Sequence, residues 1–187
     1  MDSVSICNLA LGMLGIPAIT SMEEPNNNAK LCRRFFPVLR DRVLRDHCWS
    51  FATTGSALQR LSEASYDPEY EFVCLLPGDC IRVLRLMSGG AYRRIGAKLY
   101  VNEPEPVAEY IRRVENPEEF DETFTEALQY LLAAEIGMAN TRDAQLINLY
   151  RQEYARRLSI ARSIDSQENR FALQGHGKRS RWLGARA

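Results

Sequence analysis

The sequence predicts an α+β protein that is mainly α-helical: a bundle of about four helices with an inserted small antiparallel β-sheet or barrel and an extended C-terminal arm. Apolar residues repeat with a helical period in residues 1–52 and 115–166, which are assigned to the helical body. Short alternating segments separated by Gly and Pro turns occupy the β-rich region, residues 53–114. The composition changes at the arm, residues 167–187.

The first helix is predicted near the start of the chain, where Ser3 can serve as its N-cap. Gly15 and Pro17 follow the last apolar residue of the pattern, so they are expected to end the helix. Its apolar positions, which follow the 3.6-residue period, are Ile6, Leu9, Ala10, Met13 and Leu14.

A second helix is predicted to open near Asn27 or Asn28, because apolar residues then recur in steps of three and four. Pro37 falls inside this pattern and removes one backbone hydrogen bond, so a single bent helix is expected. Asp41 and Asp46 interrupt its basic residues, which favours a solvated or interfacial face over a phosphate-binding stripe. These basic residues are Arg33, Arg34, Arg40, Arg42 and Arg45.

The β-rich region contains five short strand-like segments separated by turn residues. Ser88, Gly89 and Gly90 are typical of a hairpin turn, and Gly96 with Ala97 indicates another. The strand-like segments are residues 70–76, 81–86, 92–95, 98–101 and 107–114.

Two further helices are predicted after this region. Asp121 can cap the first, Asn140 and Thr141 end its pattern, and Asp143 can begin the second. Because the connection is short, the two helices should form an antiparallel hairpin.

Charge, composition and motifs argue against an enzyme. The 187 residues carry 24 basic and 24 acidic side chains, and no apolar run is long enough for a membrane span. The start of the chain lacks a basic, apolar leader, so synthesis in the cytoplasm is expected. The sequence contains no phosphate-binding glycine loop, nucleophile elbow or zinc-protease motif, and His47 and His176 are its only histidines. No cofactor, metal or catalytic residue is therefore expected.

The five cysteines contain no CxxC pair and are expected to be buried, reduced thiols. Acidic residues cluster at 118–126, and a pair such as Glu122 and Glu126 leaves a carboxylate-dependent cell-wall hydrolase as one alternative. A helix N-terminus attracts negative charge without any catalytic role, so the structural interpretation is favoured. Trp49 and Phe51, which follow the second helix, are interpreted as core anchors.

Residues 167–187 differ from the rest of the chain because five basic residues stand there against one acidic residue, Glu168. This segment also holds apolar side chains that a solvated tail would not need. It is interpreted as an arm that binds a partner; a nucleic-acid-binding arm and simple disorder are the alternatives. The basic and apolar residues are Arg170, Phe171, Leu173, Lys178, Arg179, Arg181, Trp182, Leu183 and Arg186.

Several segments in the first half of the chain resemble the tail tubular protein A family, the head-to-tail adaptors of short-tailed bacteriophages. They are SICNLALGMLGIPAITSMEE at residues 5–24, Ala29 with Cys32, RDRVLRDHCWSFAT at 40–53 and YEFVCLLPGDCIRVLRL at 70–86. Cys48 stands where a proline is frequent in the family. The resemblance covers residues 4–86 by motif and the remainder by layout.

This resemblance implies a structural virion protein that forms a ring, commonly of twelve copies, between the portal and the tail nozzle. The ring would line the channel through which genomic DNA passes without sequence-specific contacts, and no membrane would be involved. The arm would bind the portal protein through Arg170, Phe171, Leu173, Lys178, Arg179, Arg181 and Trp182. The nozzle contact is expected at Gly89, Gly90, Tyr92, Arg93 and Arg94.

Overall fold

The computed structural model describes residues 1–140 and 143–177, and in this part of the chain it confirms an α+β fold that is about half helical. The α-helices are α1 (Ser3–Met13), α2 (Asn27–Asp46), α3 (Glu122–Asn140) and α4 (Ala144–Gly177). The strands are β1 (Thr53–Ala57), β2 (Gln59–Arg60), β3 (Phe72–Leu75), β4 (Cys80–Leu86), β5 (Tyr92–Ile95), β6 (Lys98–Val101) and β7 (Val107–Arg112). Short 3-10 turns span Ser50–Ala52 and Pro117–Glu119.

Asp2, not Ser3, caps α1, so that prediction was wrong. An N-cap residue needs an extended backbone, and Asp2 has φ −93° and ψ 171° whereas Ser3 already belongs to the helix. The Asp2 carboxylate accepts a hydrogen bond from the Ser5 N–H at 2.9 Å. At the other end Gly15 has φ +66°, the left-handed conformation expected after a helix.

Helix α2 is one continuous element, as predicted, even though it contains Pro37. The Asn26 side chain caps it by accepting from the Ala29 N–H at 2.8 Å. His47, in an extended conformation, terminates it. The apolar stripe that faces the core comprises Ala29, Cys32, Phe36, Leu39, Val43 and Leu44.

The strands form two open antiparallel sheets where one small sheet or barrel was predicted. Strand order is β1-β7-β4 in the three-stranded sheet and β2-β3-β6-β5 in the four-stranded sheet, with no closed barrel among the described residues. The turn at Gly96 does join β5 to β6, with Ile95 paired to Lys98.

The hairpin predicted at Ser88, Gly89 and Gly90 was wrong. The segment is a turn, because Gly89 has φ +80° and its N–H donates to the Leu86 carbonyl at 3.0 Å. However, β4 pairs with β7 and β5 pairs with β6, so the chain crosses there from one sheet to the other. Local glycine chemistry predicts a turn but does not determine which strand is the partner.

One large core joins the helices to the three-stranded sheet, and a smaller core belongs to the strands. The large core includes Ile6, Val43 and Phe124 from the helices together with Ile81 and Ile111 from β4 and β7. Trp49 lies in this core, where its indole Nε1 donates to the Val43 carbonyl at 2.8 Å. The smaller core comprises Leu58, Cys74, Leu76, Val83, Leu86, Leu99, Val101 and Ala108.

Helices α3 and α4 form the expected antiparallel hairpin, and both predicted caps are present. Asp121 accepts from the Thr123 N–H at 2.7 Å, and Asp143 accepts from the Gln145 N–H at 3.0 Å. The pairs Arg157–Glu126 at 3.0 Å and Arg151–Glu135 at 3.3 Å tie the two helices along their length.

Helix α4 continues to Gly177, which corrects the prediction of an extended arm over residues 167–177. Gln167, Glu168, Arg170 and Ala172 favour a helix, and the breaking residues Gly175 and Gly177 come only at its end. The predicted arm residues Lys178, Arg179, Arg181 and Trp182 lie outside the described residues. None of the helices in the described part of the chain has the length and apolar character of a membrane span.

Candidate interaction surfaces

The turn at Gly89 and Gly90, the first part of the predicted nozzle contact, is exposed. Gly90 lies directly against the Glu103 carboxylate, so a Cβ at this position would collide with Glu103 Oε1. The Ser88 hydroxyl donates to the same oxygen. The turn is therefore a defined structure supported by one side chain of the β6–β7 connection.

Strand β5 places Arg93 on the face opposite Tyr92 and Arg94, because side chains alternate along a strand. Arg93 Nη1 pairs with Asp67 Oδ2 at 2.6 Å, and the Asp67 residue is only 5% exposed. A hydrogen bond from the Glu69 N–H and the Arg93 guanidinium lower the pKa of Asp67. Arg93 therefore anchors the loop at residues 65–69, while its side chain remains 55% exposed.

Tyr92 and Arg94 face the protein on the other side of β5. Tyr92 packs against the smaller core, and Arg94 Nη1 donates to the Ile81 carbonyl oxygen at 3.1 Å. The predicted nozzle residues thus do not form a single surface, since Arg94 turns towards α2 while Arg93 turns away from it.

The outer face of α4 carries exposed apolar side chains that the sequence interpretation did not single out. Leu149, Ile160 and Ile164 are 49%, 40% and 41% exposed. Their spacings of 11 and 4 residues place them on one side of the helix. The opposite side buries Tyr150, Tyr154, Leu158 and Ala161 against the body. The sequence does contain a signal for this face, namely the spacing of Leu149, Ile160 and Ile164. It was missed because the apolar residues of the buried side were sufficient to predict the helix.

Opposite charges lie within this outer apolar stripe. Glu153 and Arg156 are on the same side of α4, and Arg156 Nη1 is 3.6 Å from Glu153 Oε1. We call the face formed by Leu149, Glu153, Arg156, Ile160 and Ile164 the outer stripe; Ile164, at its end, also lines a small recess with Trp49 and Phe51. Its mixture of apolar and oppositely charged groups is typical of helix faces that pack against another helix.

Three of the acidic residues at 118–126 have defined structural partners. Asp121 caps α3, Glu119 pairs with Arg112 at 2.5 Å, and Glu126 pairs with Arg157 at 3.0 Å. Within residues 1–140 and 143–177, no group of three His, Cys, Asp or Glu side chains is placed to hold a metal ion.

All five cysteines are free, but they are not all buried as expected. Cys7, Cys32 and Cys74 are buried, Cys80 is half-buried and Cys48 is exposed. Cys48 follows the end of α2, where the chain runs over the surface, and its Sγ lies 2.6 Å from Arg82 Nη2. A hydrogen bond with Cys32 and burial both raise the pKa of Cys7.

Comparison with known proteins does not assign the chain to a family. No protein-family model matches it, and no curated protein matches it in sequence.

Proposed function

We propose that the protein is a structural virion protein, a head-to-tail adaptor that forms a ring between the portal and the tail nozzle and surrounds the DNA channel. The motifs in residues 4–86 support the family, and the structural observation that carries the proposal is the outer stripe of α4. A subunit of a ring needs an outward face that a second copy can cover, in addition to its own core.

Burial of the outer stripe would stabilise an interface between copies. Covering the half-exposed side chains of Leu149, Ile160 and Ile164 removes apolar surface from water and contributes roughly 1 kcal/mol for each. Glu153 and Arg156 can exchange their mutual ion pair for pairs with the adjoining copy. In a closed ring each subunit makes two such contacts, so a modest interface suffices.

The length of α4 supports the portal-binding role of the C-terminal arm. The helix passes the first residues of α3 near Ala161, where Asp121 and Ala161 border the same small recess. Gly177 then lies about 24 Å further along the helix. In this proposal residues 167–177 dock on the portal as a helix, and residues 178–187 extend the contact.

The decisive experiment is electron microscopy of the purified chain mixed with a portal ring. We expect a second ring, commonly of twelve copies, beneath the portal. Absence of any added ring under conditions in which both partners are folded contradicts the adaptor function. Deletion of residues 167–187 should leave the body folded and abolish attachment; normal attachment of the truncated chain contradicts the portal role of the arm.

The outer stripe has its own test. The double variant Leu149→Asp/Ile160→Asp should prevent assembly on the portal, as seen by sedimentation and electron microscopy. Leu9→Asp is the matched control, because Leu9 is also a helical leucine and is 46% exposed, against 49% for Leu149. Normal rings from the double variant would show that copies do not meet at this face.

The exposed turn at Gly89 and Gly90 remains the proposed nozzle contact. Substitution of both glycines by other residues should impair addition of the nozzle protein and leave portal binding unchanged. The reverse pattern would assign the turn to the portal side.

A further inference from the structure

A recess of about 350 Å³ lies between α2 and the strands, and its walls are strongly basic. Four arginines line it: Arg42 and Arg45 from α2, Arg94 from β5 and Arg113 after β7. Asp41 is the only acidic residue of its lining. The other lining residues are Val38, Cys80 and Ile81. We call this feature the basic recess.

The two acids that interrupt the arginines of α2 in the sequence have defined partners in the fold. Asp41 Oδ1 accepts from Arg40 Nε at 2.9 Å, and Asp41 Oδ2 accepts from Arg113 Nε at 2.8 Å. Asp46 Oδ2 accepts from the Tyr154 hydroxyl of α4 at 2.5 Å. Asp41 therefore compensates Arg113, one of the four arginines of the recess, whereas Asp46 is bonded to a neutral phenol of α4.

Arg45 and Arg94 converge on one backbone oxygen. Arg45 Nη2 and Arg94 Nη1 donate to the Ile81 carbonyl at 3.0 and 3.1 Å, so the two cations lie close together. Among the described residues, no carboxylate oxygen is within 4.0 Å of the guanidinium nitrogens of Arg42, Arg45 or Arg94. Like charges at this separation repel, and each guanidinium keeps further N–H donors for a ligand.

Cys80 lies in the lining of the recess. Burial raises the pKa of its thiol and the Asp79 carboxylate adds to that shift, while the guanidinium groups of Arg94 and Arg45 oppose it.

We propose that the basic recess binds a phosphate group, either of a nucleic-acid backbone or of a free nucleotide or inorganic phosphate. One carboxylate is satisfied by one or two guanidinium groups, as Asp41 is by Arg40 and Arg113. A phosphate has more acceptor oxygens, and it can use the donors that Arg42, Arg45 and Arg94 present from different elements. This inference does not depend on the adaptor function.

The test uses the full chain and four probes: inorganic phosphate, a nucleoside monophosphate, a short single-stranded oligonucleotide and polyglutamate. Thermal unfolding at matched ionic strength measures binding of the small anions, and fluorescence anisotropy measures binding of the polymers. We expect phosphate to raise the Tm more than acetate does, since only a ligand bound to the folded state stabilises it.

The variant Arg45→Gln/Arg94→Gln should weaken phosphate binding by about tenfold or more. If the wild-type chain binds the oligonucleotide, we compare the slope of log affinity against log salt concentration between about 50 and 200 mM salt. The magnitude of this slope should be smaller by about 2 in the double variant than in the wild-type chain. Arg34→Gln is the matched control, because Arg34 lies on α2 about 16 Å from Arg45 along the helix axis. If the double variant does not fold, Arg42→Gln replaces it as the test variant. Arg42 lines the recess and makes no hydrogen bond within the described residues, so its loss should not affect folding.

Dependence of both phosphate and oligonucleotide binding on Arg45 and Arg94 supports the proposal and identifies a nucleic-acid backbone as the source. Dependence of the small phosphates alone supports it with a free phosphate as the ligand. Polyglutamate that binds through these arginines as tightly as the phosphate probes would overturn it in favour of an acidic protein partner. Phosphate binding that is absent, or unchanged in the variants, would overturn it as well.

Discussion

Tyr154 on α4 donates a hydrogen bond to Asp46 at the end of α2, with the phenol Oη 2.5 Å from Asp46 Oδ2. The two residues are 108 positions apart. Tyr154 is 7% exposed, so little water is available to replace the bond. This contact fastens the long helix to the body.

Tyr154→Phe should therefore lower the free energy of unfolding by about 1 kcal/mol, because the ring packing is retained and only the hydrogen bond to the carboxylate is lost. Urea unfolding measures the change. Tyr66→Phe removes the same atom from a ring that is 64% exposed and should change stability by less than about 0.5 kcal/mol. Equal effects of the two substitutions would show that the Asp46 contact adds no stability.

Stability should decrease in alkaline solution. Burial raises the pKa of Tyr110, Tyr150 and Tyr154 above the ordinary value of 10.0, and for Tyr154 the bond to Asp46 adds to the shift. The folded state then holds its phenolic protons more tightly than the unfolded state. This contribution is complete below pH 10 and is lost as the pH rises through the folded-state values.

The variant Tyr154→Phe separates this effect from general alkaline unfolding. Its stability should fall less steeply than that of the wild-type chain above about pH 10. Urea midpoints measured at several pH values give the two slopes. Parallel curves would contradict a raised pKa for Tyr154.

Two helical glycines should respond differently to alanine. A Cβ on Gly12 in α1 meets nothing within 4 Å, so Gly12→Ala should stabilise the protein by about 0.5–1 kcal/mol through helix propensity. A Cβ on Gly137 in α3 would lie 2.9 Å from Leu14 Cδ2, so α1 and α3 must shift or Leu14 must change rotamer. Gly137→Ala should be less stable than Gly12→Ala by about 1 kcal/mol or more, as measured by thermal unfolding.

Arg93→Gln should raise the pKa of Asp67, because the guanidinium is the second cause that holds this pKa below its ordinary value of 3.8. The pKa should stay below 3.8, since the bond from the Glu69 N–H remains. Carboxyl NMR during an acid titration measures both values. Arg85→Gln, which removes a guanidinium paired with Glu109, should leave Asp67 unchanged.

The same substitution should alter acid stability in a defined direction. A carboxyl group with a lowered pKa contributes stability that is present above its ordinary pKa and is lost as the pH falls. Arg93→Gln should therefore be less stable than the wild-type chain above pH 3.8, and the difference should shrink on acidification. A difference that grows at low pH would contradict this linkage.

The sequence alone predicted many of the local elements. The hydrophobic period located α2 and the α3–α4 hairpin, and the alternating segments at 92–95 and 98–101 coincide with β5 and β6. Caps at Asp121 and Asp143 were predictable because a cap bonds to N–H groups only two or three residues away. Such interactions depend on neighbouring residues, and a single sequence displays them directly.

Apart from the α3–α4 hairpin, the sequence alone did not predict how these helices and strands pack against one another. Gly89 and Gly90 predicted a turn, yet β4 pairs with β7 and not with β5, because strand pairing depends on which faces bury their apolar residues together. Leu149, Ile160 and Ile164 could be placed on one side of a helix from their spacing, but only the packing of α4 on α3 shows that this side is outside.

The charges of α2 are a second case in which the sequence and the fold give different information. The sequence shows that Asp41 and Asp46 interrupt the arginines of α2, and an interrupted stripe is a poor phosphate site. Only the fold brings Arg113 to Asp41 and Tyr154 to Asp46, from 72 and 108 residues away. Electrostatic interactions depend on distance in space, not on separation along the chain, so these partners of Asp41 and Asp46 are visible only in the folded protein.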